Sequence, residues 1–270
     1  MEKRSLSRHA SWQDLLGSPE RPAHIVQIYE SEDFLASGVA LFAAEGLRRG
    51  EAVLLTGTQA HLSIVRDRLR AHAIDADAAA ADGRLTLVDA HQAVAEVVRG
   101  GTADAGRFDA GLADVLAGAA ARRCGVRWWG EMSNVLHQQG NTSAALECER
   151  LANAAIDKYG VTIFCSYRAD KFDPAGYEAL LPGVCKAHSH VIPAQDYVRH
   201  RLAVNRAIHE VVGEIKGPLL QSLVSWRGLT CDLPSSQAVL FWLRETLPEK
   251  FDAVLAKARA YGAENAEASA

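Results

Sequence analysis

A three-layer α/β fold on a mostly parallel sheet is predicted by two features of this 270-residue sequence. Short, continuously apolar strand candidates alternate with amphipathic segments of helical length, the pattern of a sheet covered on both faces. From about Asp196 the strands stop and long helical segments follow, so a C-terminal helical hairpin is expected beside the α/β part. The expected divisions are a flexible lead over 1–21, an α/β domain over 22–195 and a helical segment over 196–270.

The lead ends in Ser18-Pro19-Glu20-Arg21-Pro22, a turn-forming polar stretch. HIVQIY (24–29) reads as the first strand. The helix after it starts with acidic residues and ends at Arg48, Arg49 and Gly50, each suited to its end of the macrodipole. EAVLLTGT (51–58) is the second strand, and 60–72 an amphipathic helix. Residues 75–82 are a small-residue loop or weak helix, and RLTLVDA (84–90) is the third strand. Helical segments over 91–99 and 107–122 precede the strand GVRWWGEM (125–132). Residues 141–160 have helical period, with Asn141 or Thr142 as cap and Gly160 as stop, and VTIFCSY (161–167) closes the series.

The bulk numbers narrow the class. Apolar residues make up 49% and charged residues 23%, ordinary for a globular protein. A net charge of −4 disfavours direct nucleic-acid or anionic-membrane binding. No apolar run approaches the ~18 residues needed to cross a bilayer. The first residues lack the apolar core of a secretory signal, and the five scattered cysteines show no CxxC spacing. A cytoplasmic location with reduced thiols is therefore expected.

Motifs narrow it further. A parallel sheet binds ligands beyond the carboxyl ends of its strands. Those ends hold Thr56-Gly57-Thr58, Asp89, Glu131 and Ser166-Tyr167. The turn GTQAH has one glycine and no lysine, so it is no phosphate loop and ATP hydrolysis is not expected. Asp89 then reads as a helix cap. Glu131, after a buried strand and two tryptophans, is either a ligand anchor or a structural carboxylate bonded to backbone amides. Trp128 and Trp129 point to opposite faces and both read as core. Cys165 reads as a small buried hydrophobe. In VCKAHSHVIP (184–193), a helix would put Cys185 and His188 on one face, and a strand would pair His188 with His190. Neither geometry aligns all three, so no metal site is expected there.

Several of these stretches occur together in one known family. GEMSNVLHQQGNTSAALECERLANAAI, VTIFCSYRADKF and VCKAHSHVIP, preceded by HIVQIYESEDFLASGVALFAAEGLRRGEAVLLTGT, resemble in order the motifs of the MEDS family. This is the methanogen/methylotroph sensory domain found in the dichloromethane-responsive repressor. The departures are Ser133-Asn134 and His137 in the helix after GEM, and Cys148 in place of the leucine before Glu149. The resemblance covers roughly 22–195 and implies a RecA/KaiC-like fold without its phosphate loop. It also implies a sensory role through a small ligand, hydrocarbon-like or of another kind. The positions it carries over are His24, Tyr29, Gly130, Glu131, Cys165, Tyr167, Cys185, His188 and His190. All but Gly130 are candidate ligand-binding side chains. No catalytic residue and no cofactor is legible.

In the tail, VGEIKGPLLQSL (212–223) reads either as an amphipathic helix with a proline kink at Pro218 or as a degenerate histidine-kinase phosphoacceptor box, which it resembles with Gly213 where the histidine belongs and His209 one turn upstream. Acidic and basic residues number nine each from Asp196 onward, so no basic recognition helix stands out. The tail reads as a homodimerisation or docking element for a regulatory partner, a kinase or a response regulator. The expected function is non-enzymatic signal transduction. The alternatives are a phosphorelay accessory with a kinase-like pseudo-dimerisation helix, and a Cys/His hydrolase or transferase.

Overall fold

The computed structural model describes residues 11–20, 22–170, 181–213 and 235–267. It divides into two compact units at Arg168. The first is the α/β part. Its elements are α1 (Trp12–Gly17), β1 (His24–Tyr29), α2 (Glu32–Arg48), β2 (Ala52–Gly57), α3 (Gln59–Ala71), α4 (Ala76–Ala81), β3 (Leu85–Asp89) and α5 (Ala90–Val97). There follow β4 (Val98–Arg99), β5 (Thr102–Ala103), α6 (Ala105–Arg122), β6 (Val126–Gly130), α7 (Met132–Gln138), α8 (Thr142–Tyr159) and β7 (Thr162–Arg168).

Local chemistry sets the boundaries. Ser31 caps α2 by accepting from Phe34 N–H, with Glu32 and Asp33 in the first turn and Arg48 in the last. Asp89 accepts from Gln92 N–H at 2.9 Å, so it caps α5 as its sequence context predicts. Asn141 caps α8 and left-handed Gly160 (φ 65°) ends it. The structure differs from the sequence reading in two places. Residues 98–103 form a two-stranded antiparallel hairpin between helices, with Gly100 and Gly101 at positive φ in its turn. Residues 12–17 are a helix with Trp12, Leu15 and Leu16 buried.

Within this unit the strands run in the order β3-β2-β6-β7-β1, and every pairing is parallel. The alternation along each strand sends side chains to two helical layers. On one face Phe42 of α2 packs on Phe164 at 5.3 Å; on the other Phe108 of α6 packs on Trp128 at 5.4 Å. The fold is therefore three-layer α/β. Trp128 donates to Thr56 Oγ1 and Trp129 to Ser166 Oγ, both at 3.0 Å, so each buried indole N–H is satisfied. Gly57 is glycine because a Cβ there would lie 2.4 Å from the Trp129 ring.

The second unit is helical. Helix Leu181–Ala187 and strand His190–Ile192 precede the helices Tyr197–Val212, Ser235–Thr246 and Pro248–Glu267. The expected C-terminal hairpin is present, and Tyr197–Val212 packs with it as a third helix. Lys257 pairs with Glu210 at 2.7 Å, Arg206 stacks 3.7 Å from the Tyr261 ring, and His200 bonds Ser236 Oγ at 3.0 Å. The kinase-like stretch lies outside the described residues from 214 onward. No helix among the described residues is long and apolar enough to cross a membrane.

Candidate functional site

The sheet order marks where an open α/β sheet usually carries its ligand site. The chain leaves β2 towards β3 and leaves β6 in the opposite direction, towards β7, although β2 and β6 are neighbours. That divergence is a topological switch point, where open α/β sheets bind ligands beyond the carboxyl ends. Glu131 sits at this place, immediately after β6, and is fully buried.

Its carboxylate is held from three sides. Oε2 accepts from the Thr58 backbone N–H at 3.2 Å and bonds His61 Nδ1 at 2.7 Å. Oε1 accepts from Tyr29 Oη–H at 3.4 Å, and Asn134 Nδ2 donates to that phenol oxygen. The other imidazole nitrogen, Nε2, pairs with Glu32, which also takes Arg168 at 3.0 Å. Burial opposes a charged His61, but its hydrogen bonds to Glu131 and Glu32 and their charges outweigh it and raise its pKa. Burial first, then the Glu131 charge, pushes the Tyr29 phenol far above its ordinary range, so it remains a proton donor. The Thr58 N–H belongs to the amino end of α3, where anions are favoured.

A second polar cluster lies on the sheet face under α8. Glu149 Oε1 accepts from Tyr167 Oη–H at 2.7 Å. Glu149 Oε2 lies 3.3 Å from His24 Nε2 and 3.4 Å from Cys165 Sγ, and Sγ lies 3.4 Å from His24 Nε2. His24 Nδ1 bonds Asn153 Oδ1 at 3.0 Å. A cavity of about 20 Å³, lined by Trp128, Met132, Cys148, Glu149 and Cys165 among others, adjoins this group.

The family model described as "MEthanogen/methylotroph, DcmR Sensory domain" (MEDS) matches residues 23–188. The chain belongs to the MEDS family. Comparison with curated proteins gives no match.

The structure sorts the eight candidate positions of this MEDS protein into three groups. Tyr29 and Glu131 meet at the carboxyl edge, and His24, Cys165 and Tyr167 meet through Glu149. Cys185, His188 and His190 fall in the second unit. The helix there stops at Ala187 and a strand starts at His190, so neither the all-helical nor the all-extended alternative describes the stretch. Cys185 is buried, His188 Nδ1–H donates back to Val184 O at 2.7 Å, and His190 Nδ1 bonds Ser189 Oγ at 2.9 Å.

Glu149 and His61, each central to one of these clusters, are outside the residues that the sequence singles out. Glu149 carried a signal in its position within the GEM-to-LE motif. His61 carried none, because it reaches Glu131 across 70 residues of sequence.

The Cys148 and Cys165 thiols are poor nucleophiles. Burial first, then the Glu149 charge, pushes the Cys148 thiol up to about 12 and moves the Cys165 thiol in the same direction. Iodoacetamide at neutral pH is therefore expected to label half-buried Cys124 before Cys148 or Cys165 in the folded protein. Peptide mapping checks this, and early labelling of Cys165 would reverse the assignment.

Proposed function

We propose that this MEDS protein is a non-enzymatic signal-transduction module. It binds a small molecule at the switch-point crevice around Tyr29 and Glu131. Occupancy is relayed through the C-terminal helices of a homodimer to a regulatory protein, a kinase or a response regulator.

The observation that carries the reading is the placement of Glu131. A carboxylate at the amino end of α3 repels phosphate and favours a small neutral or hydrogen-bond-donating ligand. The burial of Cys165 away from solvent supports a binding role over thiol catalysis. Val198 and Leu202, four residues apart on helix Tyr197–Val212, are 56% and 55% exposed and offer an apolar pair to a partner or second copy.

The test is a thermal-shift screen of the EDTA-treated full chain against short alcohols, halogenated methanes, other small hydrophobes, haem and nucleotides. A small hydrophobe at about 100 times its Kd should add about 2.7 kcal/mol of stability. That shift should vanish in a Glu131→Gln variant with wild-type circular dichroism. Absence of any stabilising compound overturns the proposal, and turnover of an ester or nucleotide would place the chain among enzymes instead.

A further inference from the structure

We propose that His24, Glu149 and Cys165 form a binding site for one borderline divalent metal ion, of which zinc(II) is the natural type. The site stands apart from the Glu131 crevice and does not depend on the ligand-binding reading.

The geometry carries the proposal. The three donor atoms, imidazole Nε2, carboxylate Oε2 and thiol Sγ, form a triangle with sides of 3.3, 3.4 and 3.4 Å. Its centre is about 1.9 Å from each corner, so an ion just off that plane reaches the usual ~2.0–2.3 Å bond lengths to N, O and S with little movement. All three residues are buried, where a carboxylate gains most from a cation. A nitrogen, oxygen and sulfur donor set suits a borderline cation better than magnesium or calcium.

The surrounding hydrogen bonds point the same way. Asn153 Oδ1 accepts from His24 Nδ1–H, which directs the lone pair of Nε2 into the triangle. Tyr167 Oη–H binds Glu149 Oε1 and leaves Oε2 facing the other two donors. Outer partners that fix the imidazole tautomer and orient the carboxylate are what metal ligands require. As the sulfur–metal bond forms, the thiol S–H bond breaks and its proton passes to solvent buffer. The adjoining cavity of about 20 Å³ has room for one water-sized ligand beside the ion.

The experiment titrates cobalt(II) into the full chain after EDTA treatment and removal of the chelator, with zinc(II) as competitor. One cobalt per chain is expected, with a thiolate-to-cobalt charge-transfer band in the near ultraviolet that zinc abolishes. Cys165→Ser should lose the band and Cys148→Ser should keep it. Asn153→Ala should weaken affinity about 10–100-fold while keeping the band, a split that a purely structural asparagine would not produce. If Cys165→Ser does not fold, X-ray absorption of the cobalt-loaded wild type decides: one sulfur at ~2.3 Å supports the site, and nitrogen and oxygen scatterers alone overturn it. Failure to bind cobalt, or a band that survives in folded Cys165→Ser, also overturns it. Because the ligand screen uses EDTA-treated protein, a negative screen with positive cobalt uptake separates the two proposals.

Discussion

Arg127→Met is expected to lower stability by about 3–5 kcal/mol, read as a fall in the urea midpoint with an unchanged slope. Arg127 points from β6 into the layer that contains α2 and has no solvent exposure. Its Nε–H pairs with Glu51. Its Nη groups donate to the carbonyls of Leu16 at 2.9 Å, Phe42 at 3.1 Å and Gly17 at 3.3 Å, and the guanidinium stacks 5.0 Å from the Phe42 ring. One side chain thus ties α1, α2, the α2–β2 turn and the sheet together. Methionine fills similar volume but leaves a buried Glu51 carboxylate and three carbonyls short of a donor. Adding Glu51→Gln should recover part of the loss, because the uncompensated charge is the largest component. A midpoint equal to wild type in Arg127→Met would show that the cluster is not what holds α1 down.

Glu131→Ala should be nearly as damaging, about 3–5 kcal/mol, because it takes the acceptor from the Thr58 N–H, the Tyr29 hydroxyl and His61 Nδ1. Glu131→Gln keeps an acceptor and should lose less. The pH profile separates charge from packing. The His61 pKa is raised in the folded state, so the stability it contributes is complete below its unfolded value of about 6.5. That contribution is lost as pH rises through the raised folded value. The stability gap between wild type and His61→Gln should therefore shrink as the pH is raised from 6 upward. A gap that stays constant over that range would show that His61 acts only through packing.

How much of this was legible beforehand follows from the range of the forces involved. The parallel order of apolar strands, Asp89 and Asn141 as caps and Gly160 as stop depend on neighbours within a few residues, so the sequence carries them directly. The missing phosphate loop and the position of Glu131 after its strand are local facts too. The hairpin at 98–103 was hidden because Val98-Arg99 extends a helical period and two glycines overrule it. Helix α1 is short and its buried face and its bond to Arg127, more than a hundred residues away, are long-range contacts that the sequence does not display.

The sites divide in the same way. By itself the sequence determined the layer architecture, the family and the side chains that carry chemistry, since motifs and periodicity are written along the chain. Only the tertiary structure decided which of them meet. His24, Glu149 and Cys165 come from β1, α8 and β7, up to 141 residues apart, and Glu131 finds His61 across the switch point. The physical reason is strand order. Side-chain contacts across a sheet depend on which strands become neighbours, and packing of the whole core decides that.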